Sequence, residues 1–205
     1  AMEIGEVLMW MGFPQLIIFP LAPKLTQLIK PKYLVTFGFI MFALSCGVNT
    51  HMTADFGGQQ MILSMVLRAI GLPFIMVPLS LVALKNIRQK ETPDASTLTN
   101  VMRNLGGAFS IAFIATMLDN KTREHLAHIK ESLPNVSQLG WETLYQQQIM
   151  FIHTGSSVST AMQQAQSSLL STMQQQAAIM AYNDVFFMMT AALAIAAGLM
   201  LIMKN

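Results

Sequence analysis

Apolar residues in this chain run in long blocks broken by short polar stretches, at lengths close to the ~20 residues a bilayer-spanning helix requires. Five such blocks stand out, roughly 4–22, 33–50, 60–84, 97–118 and 181–203. The first contains Pro14, Pro20 and Pro23 and the third Pro73 and Pro78, so both are expected to kink; membrane helices tolerate this where neighbours satisfy the freed carbonyls. The pattern predicts an all-α transmembrane protein with membrane helices over 1–118, an outer helical loop over 119–180, and a last membrane helix with its cytoplasmic end over 181–205.

Residues 119–180 are too polar for a membrane and rich in glutamine, yet Val158, Met162, Ala165, Leu169, Met173 and Met180 recur at helical spacings. Trp141, Leu144, Tyr145, Ile149 and Ile152 suggest a shorter helix before them, with Pro134, Asn135 and Gly140 as breakers. A helical hairpin or cap is expected, either packing on itself or offering a docking surface to an outer partner.

Composition agrees with the membrane reading. Of the 205 residues 53% are hydrophobic and 11% charged, against about 25% charged in ordinary soluble domains. The net charge of +2 and the absence of basic runs interleaved with aromatics exclude a nucleic-acid partner as the expected role. Lys24, Lys30 and Lys32 fall between blocks one and two, and Lys85, Arg88 and Lys90 between blocks three and four, whereas 49–58 has no Lys or Arg. By the positive-inside rule the basic loops face the cytoplasm, and 49–58 and 119–180 face outward. After Ala1-Met2-Glu3 there is neither a basic n-region nor a cleavage site, so the chain reads as cut from something longer.

Candidate chemistry is sparse. Arg68 lies eight residues into its block, about 12 Å below the outer interface at 1.5 Å per residue. A charge at that depth is costly and faces a cavity or a partner, or reaches for the interface. None of the ten acidic residues lies in the middle of a block, so any proton-coupling carboxylate is expected elsewhere. His51, His125, His128 and His153 all fall on the outer side without a placed carboxylate, and no metal site is expected. Cys46, the one cysteine, reads as a packing residue. No catalytic motif appears, so an enzyme is not expected. In "RNLGGAFSIAFIATML", starting at Arg103, Gly106 and Ser110 stand four apart, as do Ala108, Ala112 and Thr116. Such small-residue ridges let another helix approach closely.

Three stretches carry a resemblance. Pro20-Leu21-Ala22-Pro23-Lys24-Leu25, followed by Lys30-Pro31-Lys32, resembles the cytoplasmic loop signature of a transporter's second half, with Pro23 where glycine is usual. "RAIGLPFIMVPLSLVAL" (Arg68 to Leu84) resembles that group's twelfth helix. Asp94 to Asn100 together with Arg103-Asn104-Leu105-Gly106-Gly107 resembles the start of its thirteenth. Together they resemble the major facilitator superfamily, specifically the fourteen-helix drug:proton antiporters of the EmrB/QacA type, with the chain as helices ten to fourteen.

The resemblance implies a multi-pass protein of the bacterial inner membrane, in contact with lipids. It further implies the carboxyl-terminal part of an exporter of lipophilic small molecules that works by alternating access on the proton-motive force, with no other cofactor. The amino-terminal half of the same protein, a periplasmic adaptor and an outer-membrane channel are the implied partners. In that setting Arg68, Arg103, Asn104 and Asn100 are cavity or gating candidates. Gly106, Gly107 and Ser110 are a moving helix seam, and Pro20, Lys24, Lys30 and Lys32 mark the loop signature. Two alternatives stand beside it: the same fold exporting one metabolite, lipid or siderophore, and a stand-alone membrane scaffold.

Overall fold

A computed structural model describes residues 2–53, 58–84, 87, 88, 90–132, 137–153, 155 and 157–202. The described residues form six α-helices and one short 3-10 turn: α1 Met2–Leu28, α2 Pro31–Val48, the turn Asn49–His51, α3 Gly58–Leu84, α4 Thr92–Ser132, α5 Ser137–His153 and α6 Val158–Ile202. Four of these helices contain stretches long and apolar enough to cross a membrane: Pro31–His51, Met61–Leu84, Thr92–Glu131 and Val158–Ile202. The expected first span falls in α1, which runs unbroken through its three prolines and is not among those four.

Two compact units are present, one of residues 1–114 with 183–205 and one of residues 115–182. In the first, α1, α2 and α3 pack together. Ala22, Leu34 and Phe74 form a buried cluster, with Ile18, Leu25, Ile70 and Val77 against it. Phe37 meets Phe74 edge to face at 5.6 Å. Pro31 opens α2 at its first turn, where a missing N–H costs nothing. That helix closes on Asn49, whose N–H donates to the carbonyls of Cys46 and Gly47; the Thr50 hydroxyl adds a 2.7 Å bond to Gly47.

The second unit is helical throughout its described length, but its helices differ from the expectation. α4 has 41 residues and α6 45, each about twice what a bilayer needs, so the stretch 119–180 is largely made by extensions of two membrane helices. α4 changes character along its length. Beyond the apolar stretch it carries the exposed pairs Lys121–Glu124 at 2.8 Å and Arg123–Asp119 at 2.9 Å; spacings of three and four suit a solvated helix and contribute about 0.2–0.5 kcal/mol each. Gly140 lies inside α5 rather than breaking it, and Pro134 and Asn135 lie outside the described residues.

Between α5 and α6, Gly155 has φ 98, a conformation that favours a residue without Cβ. The Ser157 hydroxyl then accepts from the Thr160 N–H at 3.4 Å, capping the start of α6. The buried stripe of α6 in this unit is Ala161, Ala165, Met173, Ala177 and Ala181, whereas Val158 and Met180 are exposed. Steps of four residues advance 40° beyond a full turn at 100° per residue. The stripe therefore winds around α6 and leaves those two expected members outside.

Candidate functional site

The α2–α3 interface is where polar groups enter the membrane-spanning part of the first unit. The two helices run antiparallel and touch most closely at Gly38 and Gly71. A Cβ on Gly38 would lie 2.8 Å from the Gly71 carbonyl oxygen, and one on Gly71 2.8 Å from that of Gly38. Only residues without a side chain permit such an approach, as in close helix pairs in bilayers.

Two turns further along lies a cluster that is almost fully enclosed: Ser45 and Ser64 are 0% exposed and Asn49 1%. The Ser45 hydroxyl donates to the Ser64 carbonyl at 2.8 Å, and the Ser64 hydroxyl lies within bonding distance of the Ser45 carbonyl at 3.1 Å. The Asn49 amide nitrogen donates to the Ser64 hydroxyl at 2.7 Å. Asn49 Oδ1, equally buried, has no partner. Hydrogen bonds of this kind hold membrane helices together because the alternative is an unpaired polar group in hydrocarbon.

Arg68 sits between these two contacts. On α3 it is four residues after Ser64 and three before Gly71, which puts it on the side that faces α2. It is about two turns inside the apolar stretch Met61–Leu84. Its guanidinium carbon is 5.5 Å from the centre of the Phe42 ring of α2, a cation–π distance. Its Nε is buried without a partner, while the residue as a whole is half-buried. Nε is thus enclosed at the interface, although the residue as a whole keeps some exposure.

The other candidates lie elsewhere. Arg103 donates from Nη2 to the Ser80 hydroxyl at 3.3 Å. Ser80 is twelve residues beyond Arg68 on α3, so the two arginines act about 18 Å apart along that helix. Asn100, Asn104, Gly106, Gly107 and Ser110 are exposed on α4. A Cβ on Gly106 or Gly107 would meet nothing within 4 Å, and the Ser110 hydroxyl bonds back to the Gly106 carbonyl at 2.7 Å. On this helix Leu98, Met102, Leu105, Phe109 and Phe113 share one face, and Asn100, Arg103, Gly107 and Ser110 the other. Pro20 and Lys24 lie on α1, Lys30 precedes α2 and Lys32 is in its first turn, with the Lys32 ammonium 5.2 Å from the Tyr33 ring centre.

Sequence reasoning missed the Ser45/Asn49/Ser64 cluster, the Gly38–Gly71 crossing and the double bond of Asn183. The Asn183 amide accepts from the Met52 N–H at 2.9 Å and donates to the Met52 carbonyl at 3.0 Å, tying α6 to the segment after α2. A signal existed for the first two. Ser45 and Asn49 are four apart in one apolar block, and Ser64, Arg68 and Gly71 follow at four and three in the next, so each set shares a helix face.

Comparison with known proteins matches the sequence of the chain to transporters. The chain is 28% identical over 206 residues to the colistin resistance protein EmrB of Acinetobacter baumannii, covering 99% of this chain and 39% of that protein. It is 22% identical to the uncharacterized MFS-type transporter YhcA of Bacillus subtilis over 98% of this chain and 38% of that one. It is 23% identical to the multidrug export protein EmrB of Escherichia coli K12 over 86% of this chain and 33% of that one. The chain thus spans less than two-fifths of the length of these relatives. No family model and no solved structure matches it. With four candidate spans and relatives of this kind, it is a multi-pass segment of the bacterial inner membrane. Along nearly its whole length the chain is homologous to the EmrB-type transporters of the major facilitator superfamily, as a carboxyl-terminal part of such a protein would be.

Proposed function

We propose that this chain is the carboxyl-terminal part of a proton-driven exporter that expels lipophilic compounds by alternating access. The observation that carries the reading is the chain-long match to proteins named for multidrug export and colistin resistance. The α2–α3 seam agrees with it. An arginine held two turns inside a span, with its Nε buried and unpartnered, is costly unless it faces water, a partner or a substrate. The coupling carboxylate, the other half of the cavity, a periplasmic adaptor and an outer-membrane channel belong to this proposal as partners outside the chain. Arg103, Asn104 and Asn100 line the path on α4, and Gly106, Gly107 and Ser110 form the seam on which the bundles move.

The test is expression of the complete coding sequence in a strain stripped of its own exporters. Resistance to at least two unrelated lipophilic compounds, with accumulation restored by a protonophore, is expected. Protection against a single compound indicates a dedicated exporter, and normal insertion with no change in accumulation of any compound rules out transport.

A further inference from the structure

We propose that the lysine-bearing start of α2 and the exposed apolar face that follows it bind an anionic phospholipid, with the phosphate at Lys30 and Lys32 and an acyl chain along Tyr33, Phe37, Ile40 and Leu44. The inference goes beyond the exporter reading and is independent of which compounds the protein moves.

The apolar part of the surface comes from helical geometry. Tyr33, Phe37, Ile40 and Leu44 follow one another at four, three and four residues, so they lie within about 60° of arc at 100° per residue. They are 50%, 40%, 42% and 51% exposed, whereas Leu34, Val35 and Gly38, turned away from Tyr33 by about 100° or more, are buried. From Tyr33 to Leu44 the face is about 16 Å long at 1.5 Å per residue. That is close to the ~15 Å that one leaflet contributes to a hydrocarbon core of about 30 Å. The face therefore matches one acyl chain in length.

The charge gathers at one end of this face. Lys30 immediately precedes α2 and is exposed, and Lys32 is in the first turn. The Lys32 ammonium lies 5.2 Å from the Tyr33 ring centre, so a cation–π contact draws it over the base of the apolar face. No acid answers these charges locally. The first turn of α2 contains none, and the chain has none between Glu6, near the start of α1, and Asp55, which follows the far end of α2 in sequence. The stretch between α3 and α4 carries Glu91 and Asp94 together with Lys85, Arg88 and Lys90, and so brings no net negative charge.

What a bilayer offers at the end of a hydrocarbon-facing surface is the phosphate of a phospholipid. A headgroup with net negative charge is favoured over a zwitterionic one, because the latter brings its own cation against the lysines. The Tyr33 ring sits at headgroup depth, as tyrosines at membrane interfaces do, and its hydroxyl is a further donor to phosphate or glycerol oxygens. A helix of the complete protein laid over the same face would instead have to bury ammonium groups that have no carboxylate beside them.

The test uses the complete protein in phosphatidylcholine nanodiscs that carry a trace of photoactivatable phosphatidylglycerol or phosphatidylcholine, each with a diazirine in its acyl chain. Labelled residues are mapped by mass spectrometry. Residues 33–44 should take up the phosphatidylglycerol probe at least about tenfold more than the phosphatidylcholine probe. Lys30→Gln and Lys32→Gln should each lower that preference about fivefold, the scale of one lysine at an anionic surface, and the double variant should abolish it while phosphatidylcholine labelling stays. Equal labelling by the two probes in the wild type overturns the proposal. So does an equal preference at Phe187, 65% exposed on α6, because the preference then belongs to the whole surface. Residues 33–44 left unlabelled by both probes mean that protein covers the face, and loss of the preference in millimolar inorganic phosphate assigns the lysines to free phosphate; either result overturns it as well. Should the double variant fail to fold, the wild type decides: its preference must shrink as salt rises from about 0.05 to 0.5 M, and a preference unchanged by salt overturns the proposal.

Discussion

Gly38 and Gly71 face each other so closely that a Cβ on either would sit 2.8 Å from the other's carbonyl oxygen. The obstacle is backbone in both directions, and backbone cannot rotate away as a side chain can. A methyl group at either position pushes α2 and α3 apart along the seam that encloses Arg68. Gly38→Ala or Gly71→Ala is therefore expected to destabilise by about 1–3 kcal/mol, the usual cost of overpacking, and to lower the thermal midpoint of the purified protein. Gly47→Ala, where the nearest atom is Thr190 Cγ2 at 3.7 Å, serves as the control and should be nearly silent.

The Ser64 hydroxyl is shared, accepting from Asn49 at 2.7 Å and lying 3.1 Å from both the Ser45 carbonyl and the Ser45 hydroxyl. Ser64→Ala strands a buried amide whose Oδ1 already lacks a partner, whereas Ser45→Ala leaves the Asn49–Ser64 bond in place. Ser64→Ala should cost about 1–2 kcal/mol, by the range found for such bonds in bilayers, and more than Ser45→Ala. Chemical denaturation in detergent gives the ranking, and the reverse order would refute the shared-hydroxyl account.

These two sites show what the sequence makes legible. Four of the five expected spans and the half-buried arginine follow from block length and from the cost of charge, since both are local properties of the chain. The outer segment was expected as a separate hairpin because its polarity changes near residues 119 and 180. A helix can cross such a change without breaking, as α4 does by exchanging apolar contacts for the Lys121–Glu124 and Arg123–Asp119 pairs. The Gly38–Gly71 crossing was hidden for a different reason. Gly106 and Gly107 look more conspicuous in sequence, yet a Cβ on either meets nothing within 4 Å in this chain; which glycines touch depends on which faces meet.

Asn183 acts on Met52 as a peptide group does in a β ladder, accepting one bond and donating another. Removing it frees both Met52 backbone groups at the end of α2. Asn183→Leu should raise amide exchange at Met52 by about tenfold, corresponding to loss of roughly 1.4 kcal/mol of local protection. The Gly38–Gly71 region, on the far side of the serine cluster, should keep its exchange rates. Unchanged exchange at Met52 shows that the pair does not hold α6 in place.

The two sides of α4 make the last prediction. Leu98, Met102, Leu105, Phe109 and Phe113 are all more than half exposed, as are apolar side chains that meet lipid. Asn100, Arg103, Gly107 and Ser110 are exposed too, but a side with an arginine, an amide and a glycine is poorly matched to hydrocarbon. In the complete protein that side must face protein or water, and under the exporter reading Asn100 and Arg103 face the path while Gly107 and Ser110 lie at the moving seam beside it. Single cysteines placed at 98, 100, 102, 107, 109 and 110 in a Cys46→Ala background separate the cases. A water-soluble thiol reagent should label 100, 107 and 110 and spare 98, 102 and 109, and a transported compound should slow the first group alone. Labelling of 98, 102 and 109 instead puts the large apolar face on water and ends the assignment; protection of all six means that another helix covers α4. Gly107→Leu distinguishes a path from a moving seam, because bulk at a seam stops export while leaving the thermal midpoint of the protein unchanged.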